Sequence, residues 1–137
     1  MPERNEWNRR IIDEFRANGG RVGGMFADTP LLLLHHRGAK TGVERVNPLA
    51  YQRIGESVAV FASAGGQPTN PDWFHNVVAN PDVTVELGTD EYGAKARVAT
   101  GEERERIWSA QKAARPAFAE YEQKAGREIP VVVLDRL

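Results

Sequence analysis

Six short apolar runs, three of whose five connections are too short to hold a crossover helix, constrain this chain more than any other feature. The runs are Leu31–His36, Arg45–Arg53, Ser57–Ala62, "VTVEL", "EYGAKARVA" and Ile129–Leu134. Their β-branched, aromatic and alternating character reads as strands. Gly55-Glu56 supplies a tight turn between the second and third runs, and Gly88 joins the fourth and fifth. Strands joined so closely pair antiparallel, because a parallel pair needs a crossover of a dozen residues or more. The four leucines of Leu31–Leu34 predict a strand buried on both faces, and Pro48 predicts an edge or a bulge in the second run. Six strands in one chain of this length can close into a small barrel.

The remaining segments read as helices. Trp7, Ile11 and Phe15 recur every four residues, which predicts an amphipathic helix over about 5–18, ended by Gly19-Gly20. Asn70 as N-cap and Pro71 at the first helical position predict a short helix, Asp72–Ala79, stopping at Asn80-Pro81. Thr100 and Glu103 form a capping-box pattern before a helix carrying Ile107, Trp108 and Ala114. Pro116 interrupts it, and a second piece over about 117–125 ends at Gly126. The order is helix, three strands, short helix, two strands, a helical pair and a last strand: a mainly β fold with flanking helices. The whole chain, 1–137, reads as a single domain.

Composition removes several function classes. Hydrophobic residues make up 41% of the chain, which fits a soluble globular protein. No apolar run approaches the roughly 20 residues of a membrane span, and the N-terminus has no signal-peptide segment. There is no cysteine, which excludes disulfides and thiolate metal sites and makes the cytoplasm the expected location. Three histidines, His35, His36 and His75, are too few and too poorly spaced for a metal site. The net charge of −1 gives no bulk attraction to nucleic acid. The charge is unevenly spread, with a net of +3 over residues 1–53 and −4 over residues 54–137.

Two segments carry candidate chemistry. In "GAKTGVERVNP", Lys40 and Arg45 bracket a turn of small residues, Thr41 offers a hydroxyl, and glycines let backbone N–H groups approach an anion. Arg45 can grip a phosphate or carboxylate bidentately, with Lys40 as a point charge. The spacing is not that of a Walker A loop, and residue types alone favour a plain hairpin loop over an anion site. In "SAGGQPTNPDWFHN", Ser63 follows a strand with two glycines behind it, so the loop can lay N–H groups along a flat polar ring. Trp73 and Phe74 can wall a planar ligand or simply anchor the core. His75 reads as a surface or hydrogen-bonded histidine, and only one of His35 and His36 can face the interior. No GxGxxG, no GxSxG and no carboxylate dyad is present.

Taken together, "GAKTGVERVNPL" and the later "FASAGGQPTNPDWFHNVVANPDVTVEL" resemble the deazaflavin (F420)-dependent nitroreductase family over about Leu31 to Leu134. The resemblance implies a split β-barrel and coenzyme F420, whose phosphodiester and glutamate tail make it strongly anionic. Lys40, Thr41 and Arg45 match positions that hold the phosphate and tail. Val46, Asn47, Pro48 and Leu49 match the strand that lines the coenzyme. Phe61, Ala62, Ser63 and Ala64 match the loop that meets the deazaflavin ring, and Trp73, Phe74, His75 and Asn76 the short helix that closes the site. The implied activity is hydride transfer from the reduced coenzyme to an electron-poor small molecule: a quinone, enone, unsaturated lactone or nitro compound. Ser63 is the first candidate donor to the substrate.

Two departures stand out. Relatives carry a lysine where this chain has Ala64. Nitroimidazole-active members carry tyrosines in the late helix where "RPAFAEY" has Arg115 and Phe118, leaving Tyr121 as the remaining phenol. The further readings are an FMN-dependent oxidoreductase of the same barrel class and a non-enzymatic cofactor or ligand binder. Monomer and homodimer are both compatible with the sequence.

Overall fold

A computed structural model describes residues 2–23, 30–63 and 66–137, with side chains from Asn8 onward. The elements are α1 (Pro2–Ala17), β1 (Leu31–Arg37), β2 (Glu44–Ile54), β3 (Ser57–Phe61), α2 (Asp72–Ala79), β4 (Asp82–Leu87), β5 (Asp90–Val98), α3 (Gly101–Ala114), α4 (Ala117–Ala125) and β6 (Val131–Arg136). All six expected strands and all four expected helices are present. The strands form a closed barrel in the order β1-β2-β3-β6-β5-β4, and β1 closes it against β4. Every pairing is antiparallel. No helix among the described residues is long and apolar enough to cross a membrane.

Strand periodicity distributes the core. Leu32 and Leu34 of β1 point inward with Val58, Val60, Val83, Val85, Val132 and Leu134, and α2 caps this interior with Trp73 and Val77. The opposite faces are covered from outside. Leu31 and Leu33 pack under Ile11 and Phe15 of α1. Ala59, Phe61, Val131 and Val133 pack under Ile107 and Trp108 of α3 and Ala125 of α4. This accounts for the unbroken apolar runs in β1, β3 and β6: each is buried on both faces.

Pro48 sits opposite Leu33 in the middle of the β1–β2 ladder, with no bulge in the register. Tyr51 N–H donates to Pro30 C=O, so alternate nitrogens of β2 face β1 and that of Pro48 faces away. β3 pairs with β2 only from Tyr51 to Ile54. The side of β2 that Pro48 faces therefore carries no ladder bond there, and the missing N–H is not needed.

Two expected helix caps are replaced by other contacts. Pro71, not Asn70, is the N-cap of α2, and it makes no side-chain cap bond. The Asn70 side chain accepts a bond from Arg127 instead. Thr100 is the N-cap of α3 but makes no side-chain cap bond, and Glu103 forks onto Arg97 at 2.6 and 3.0 Å. In each case an arginine, 57 residues away for Asn70 and six for Glu103, competes successfully with the local backbone N–H.

α1 is held by more than its apolar face. Arg16 forks onto Glu86 of β4 at 3.1 and 2.6 Å, and the same carboxylate meets His35 Nε2. The Arg16 bond, with a smaller contribution from His35, holds the Glu86 carboxyl below its ordinary 4.5 despite partial burial. A carboxyl lowered on folding contributes stability that is complete above about pH 4.5 and is lost as the pH falls through its lower folded value. Wild type should therefore lose stability on acidification below about pH 4.5 more steeply than Glu86→Gln. Urea denaturation of both proteins across that range is the measurement, and parallel curves would remove Glu86 from the acid response.

Candidate functional site

The site is assembled around the loop that joins β1 to β2. Gly38 N–H donates to Val43 C=O at 3.0 Å, and Gly42 N–H donates back to Gly38 C=O at 2.9 Å, so residues 38–43 form a tight double turn. Thr41 Oγ1 accepts from Val43 N–H at 3.2 Å. A Cβ on residue 38 would lie 2.5 Å from that hydroxyl, so the turn needs glycine there for space. Thr41 thus shapes the loop with its oxygen and keeps its O–H as a donor.

The loop is pinned to α2. Ala39 N–H donates to Asn76 Oδ1 at 2.9 Å, and Asn80 Nδ2 reaches the carbonyls of Arg37 and Gly38 at 3.4 and 3.5 Å. The nitrogen of Asn76 meets His36 Nδ1 at 3.1 Å, and His36 Nε2 meets Asn47 Oδ1 at 2.7 Å. His36 is only 2% exposed. Burial pushes its imidazole below the ordinary 6.5; the Asn47 bond opposes this, and the nearby Arg45 charge adds to it. The ring is therefore neutral at neutral pH.

Two adjoining clefts open beside this framework. One, of about 380 Å³, is lined by Lys40, Thr41, Arg45, His75 and Asn76 together with Gly38, Ala39 and Asp72. The other, of about 610 Å³, runs between α1 and β2 and includes His36, Val46, Asn47 and Trp73. Arg45 and Asp72 line both. Lys40 and Arg45 make no ion pair among the described residues, whereas Arg16, Arg97, Arg104 and Arg136 each have a carboxylate partner. With Arg9 of the larger cleft, three cations without an ion pair among the described residues line a concavity of a size that fits an elongated anionic ligand. Asp72 and Glu44 lie in the same space, so the field is mixed and not uniformly positive.

The expected site residues divide accordingly. Lys40, Thr41, Arg45, Val46, Asn47, Trp73, His75 and Asn76 line the clefts. Leu49 and Phe74 pack against the barrel interior. Pro48 lies on the shared strand without lining either cleft among the described residues. Phe61 faces outward, its ring 5.8 Å from Trp108 and 5.6 Å from Phe118. Phe118 in turn meets Tyr121 at 5.3 Å. Ala62 and Ser63 are buried at the exit of β3. Ala64 lies outside the described residues.

The loop after β3 has its own anchor, which the sequence did not mark. Arg127 donates to the carbonyls of Ala62, Gln67 and Thr69 and to Asn70 Oδ1. Desolvation lowers the pKa of this guanidinium from its ordinary value, yet it stays charged because that value is so high. Gly66 lies so close to Lys124 of α4 that a Cβ there would come within 2.9 Å of the lysine stem. Ser63 and Tyr121 line neither of the two clefts among the described residues. The pairing of an arginine at 127 with a loop some sixty residues earlier leaves no local sequence pattern. His36 was equally hidden, since strand alternation said only that one of two histidines faces inward.

Among the described residues, His35, Glu86 and Glu91 bring ligand-type atoms within 4.8 Å of one another. Arg16 already takes both Glu86 oxygens and His35 meets the same carboxylate, so two of these three groups belong to the α1 clasp.

A closed six-strand antiparallel barrel with a cation-bearing cleft between its first hairpin and its short helix is the class of coenzyme-binding barrels that the two motifs taken together resemble. Structural comparison agrees. An F420H2-dependent reductase of the FDR-A type superposes with a TM-score of 0.71 at 40% identity, over 77% of this chain and 94% of that one. A chain solved as a domain-swapped dimer superposes at 0.73 and 36% identity, over 96% and 99%. A haem-storage protein of Vibrio cholerae at 14% identity and 0.60 shares the fold alone. The chain belongs to the F420H2-dependent quinone reductase family, whose profile matches residues 7–136. An F420H2-dependent quinone reductase of Mycobacterium tuberculosis is 36% identical over 126 residues, 89% of this chain and 85% of the relative.

Arg127→Ala should free the loop without opening the barrel, since among the described residues the guanidinium bonds only to loop acceptors and the Ala62 carbonyl. Amide hydrogen exchange at residues 66–70 should accelerate by roughly tenfold or more, the worth of one or two hydrogen bonds to a charged group. Exchange in β1 and β6 should be unchanged. Unaltered loop exchange would show that the glycine–α4 packing alone holds the loop.

Proposed function

We propose that this protein is an F420H2-dependent oxidoreductase that binds the coenzyme along the two adjoining clefts and reduces a quinone or similarly electron-poor small molecule. The observation that carries the reading is the loop 38–45: two cations without protein partners, held in a turn that α2 fixes from the other side. Lys40 and Arg45 would receive the phosphate and glutamate tail, with the Thr41 O–H as a further donor. Asn47, Val46 and Trp73, which share the larger cleft with Arg45, would meet the parts nearer the ring. Bound in its reduced form, the deazaflavin supplies the hydride.

The chain's own contribution is to position and to exclude water. Trp73 packs in the barrel interior, and Ser63 is buried just after β3. Ser63 is the proposed donor to the oxygen on which negative charge develops, and Tyr121 the second. Both are neutral hydroxyls, which suits a reaction whose final proton can come from water. Homodimeric assembly is supported by the 36% identical neighbour that forms a domain-swapped dimer.

Arg45→Ala should weaken F420 binding by about 1.5–3 kcal/mol while leaving the fold intact, because one charge-assisted contact is removed from an exposed position. Wild-type affinity should fall with added salt, and FMN, which lacks the glutamate tail, should bind more weakly than F420 at matched ionic strength. Fluorescence titration measures all three. Equal affinity of wild type and Arg45→Ala would take Arg45 out of the site, and tighter FMN binding would reassign the coenzyme.

Substrate choice is tested at Phe118. Its ring sits between Phe61, Trp108 and Tyr121, and it presents no hydroxyl. Wild type should reduce a quinone or unsaturated lactone with higher kcat/KM than a bicyclic nitroimidazole. Phe118→Tyr should narrow that ratio by at most the 2–4 kcal/mol or so of a well-placed donor. A ratio unmoved by the substitution would place substrate selection elsewhere in the pocket.

A further inference from the structure

The Ala39 backbone N–H can only donate, and it fixes every assignment that follows. It donates to Asn76 Oδ1 at 2.9 Å, so the Asn76 amide nitrogen is the end that faces His36 Nδ1 at 3.1 Å. That nitrogen is a donor, so Nδ1 must accept and the ring proton sits on Nε2. Nε2 therefore donates to Asn47 Oδ1 at 2.7 Å. Asn47 is left with its Nδ2 as the end without a partner among the described residues, on a side chain that lines the larger cleft. One backbone N–H thus determines, through a single buried imidazole, the orientation of two asparagines on two elements. One of them pins the Lys40 loop, and the other faces the cleft.

We propose that His36 is the positioning residue of the coenzyme site: its ring sets the amide orientation of Asn47 and Asn76 together, and so holds the cation-bearing loop and the cleft-facing Asn47 in their ligand-ready arrangement. The inference rests on the coenzyme reading given above. Only a side chain that donates at one end and accepts at the other can do this. Protonation at Nδ1 would set two donors face to face with Asn76. Asn76 could answer only by turning its amide, which would aim its NH2 group at the Ala39 N–H. One of the bonds that hold the loop is lost either way, so coenzyme affinity falls at acid pH.

The charged and titratable groups around the ring come from every element packed there. His35 adjoins it on β1. Arg45 and Glu44 face it from β2, and Asp72 from the start of α2. Arg9, Asp13 and Arg16 of α1 share its larger cleft, and Asp82 of β4 lies on the far side. Arg45 opposes a second positive charge, and Asp72 favours one.

The test is fluorescence titration of F420 from about pH 5 to about pH 8 on wild type, His36→Gln and His36→Leu. Glutamine can accept from Asn76 and donate to Asn47, whereas leucine can do neither. The coenzyme's own titrations are common to all three proteins, so differences between their profiles belong to His36. His36→Gln should keep near-wild-type affinity at the alkaline end and lack the extra acid loss of wild type. His36→Leu should bind about tenfold more weakly than wild type at the alkaline end, and the gap should narrow as wild type loses affinity at acid pH.

A second readout needs no coenzyme. The Ala39 backbone amide and the Asn76 side-chain amide should shift with one shared titration in wild-type NMR spectra and stay flat in His36→Gln. Wild type that binds no F420 overturns the functional reading, and with it the role given to His36 there. Wild type that binds, with His36→Leu equal in affinity or His36→Gln equal in pH profile, overturns the inference alone. Amides that do not titrate in wild type also overturn it.

Discussion

The double burial of β1 is the constraint on which the rest of the molecule depends. Leu32 and Leu34 fill the barrel, and Leu31 and Leu33 fill the seam beneath α1. Four leucines removed from water contribute on the order of 1.5–3 kcal/mol each. Each neighbour of β1 is fixed by it: β2 and β4 by hydrogen bonding on its two edges, α1 by packing on its outer face. The same alternation continues past the leucines. His35 falls on the α1 side, where it joins the Arg16–Glu86 clasp. His36 falls on the inner side, at the mouth of the barrel. The strand that closes the core therefore also delivers the residue that organises the site.

Around that mouth, two segments far apart in the chain act as one. The loop after β1 would be an ordinary hairpin turn if it stood alone. Asn76 of α2 and Asn80, its C-cap, bind its backbone, and α2 is itself seated by Trp73 and Val77 in the barrel interior. The positions of Lys40 and Arg45 are thus referred to the core through a helix and not left to a mobile turn. The loop after β3 is treated in the same way by Arg127. An arginine with four acceptors spends its charge on geometry, which is why it stays with the loop while Lys40 and Arg45 remain free for a ligand.

The aromatic cluster of Phe61, Trp108 and Phe118 has the opposite character. It faces the outer helices, and its polar atom is satisfied internally, since Trp108 Nε1 donates to Glu122 at 2.7 Å. Phe61 was expected at the coenzyme, by its place in the motif. The structure turns its ring to α3 and α4, because the residue sits on the outer side of β3 with Ala59.

Sequence alone determined the elements and their number. Periods of two and of about four, broken by Gly55, Gly88, Pro81 and Gly126, are local properties, and local sterics enforce them whatever the fold. It also determined that Lys40 and Thr41 lie in one tight loop with Arg45 just beyond it, because the chain itself joins them. Tertiary structure decided the barrel order, which needs β6 between β3 and β5, and it decided who caps what. Asn70 and Glu103 carry good local cap signals, but Arg127 and Arg97, distant or across a turn, bind them more strongly. It decided which histidine is buried, and it made that histidine the link between Asn47 and Asn76. Hydrogen bonds across 11 and 40 residues leave no spacing pattern to read. They exist only once β1, β2 and α2 have been brought together by the apolar core.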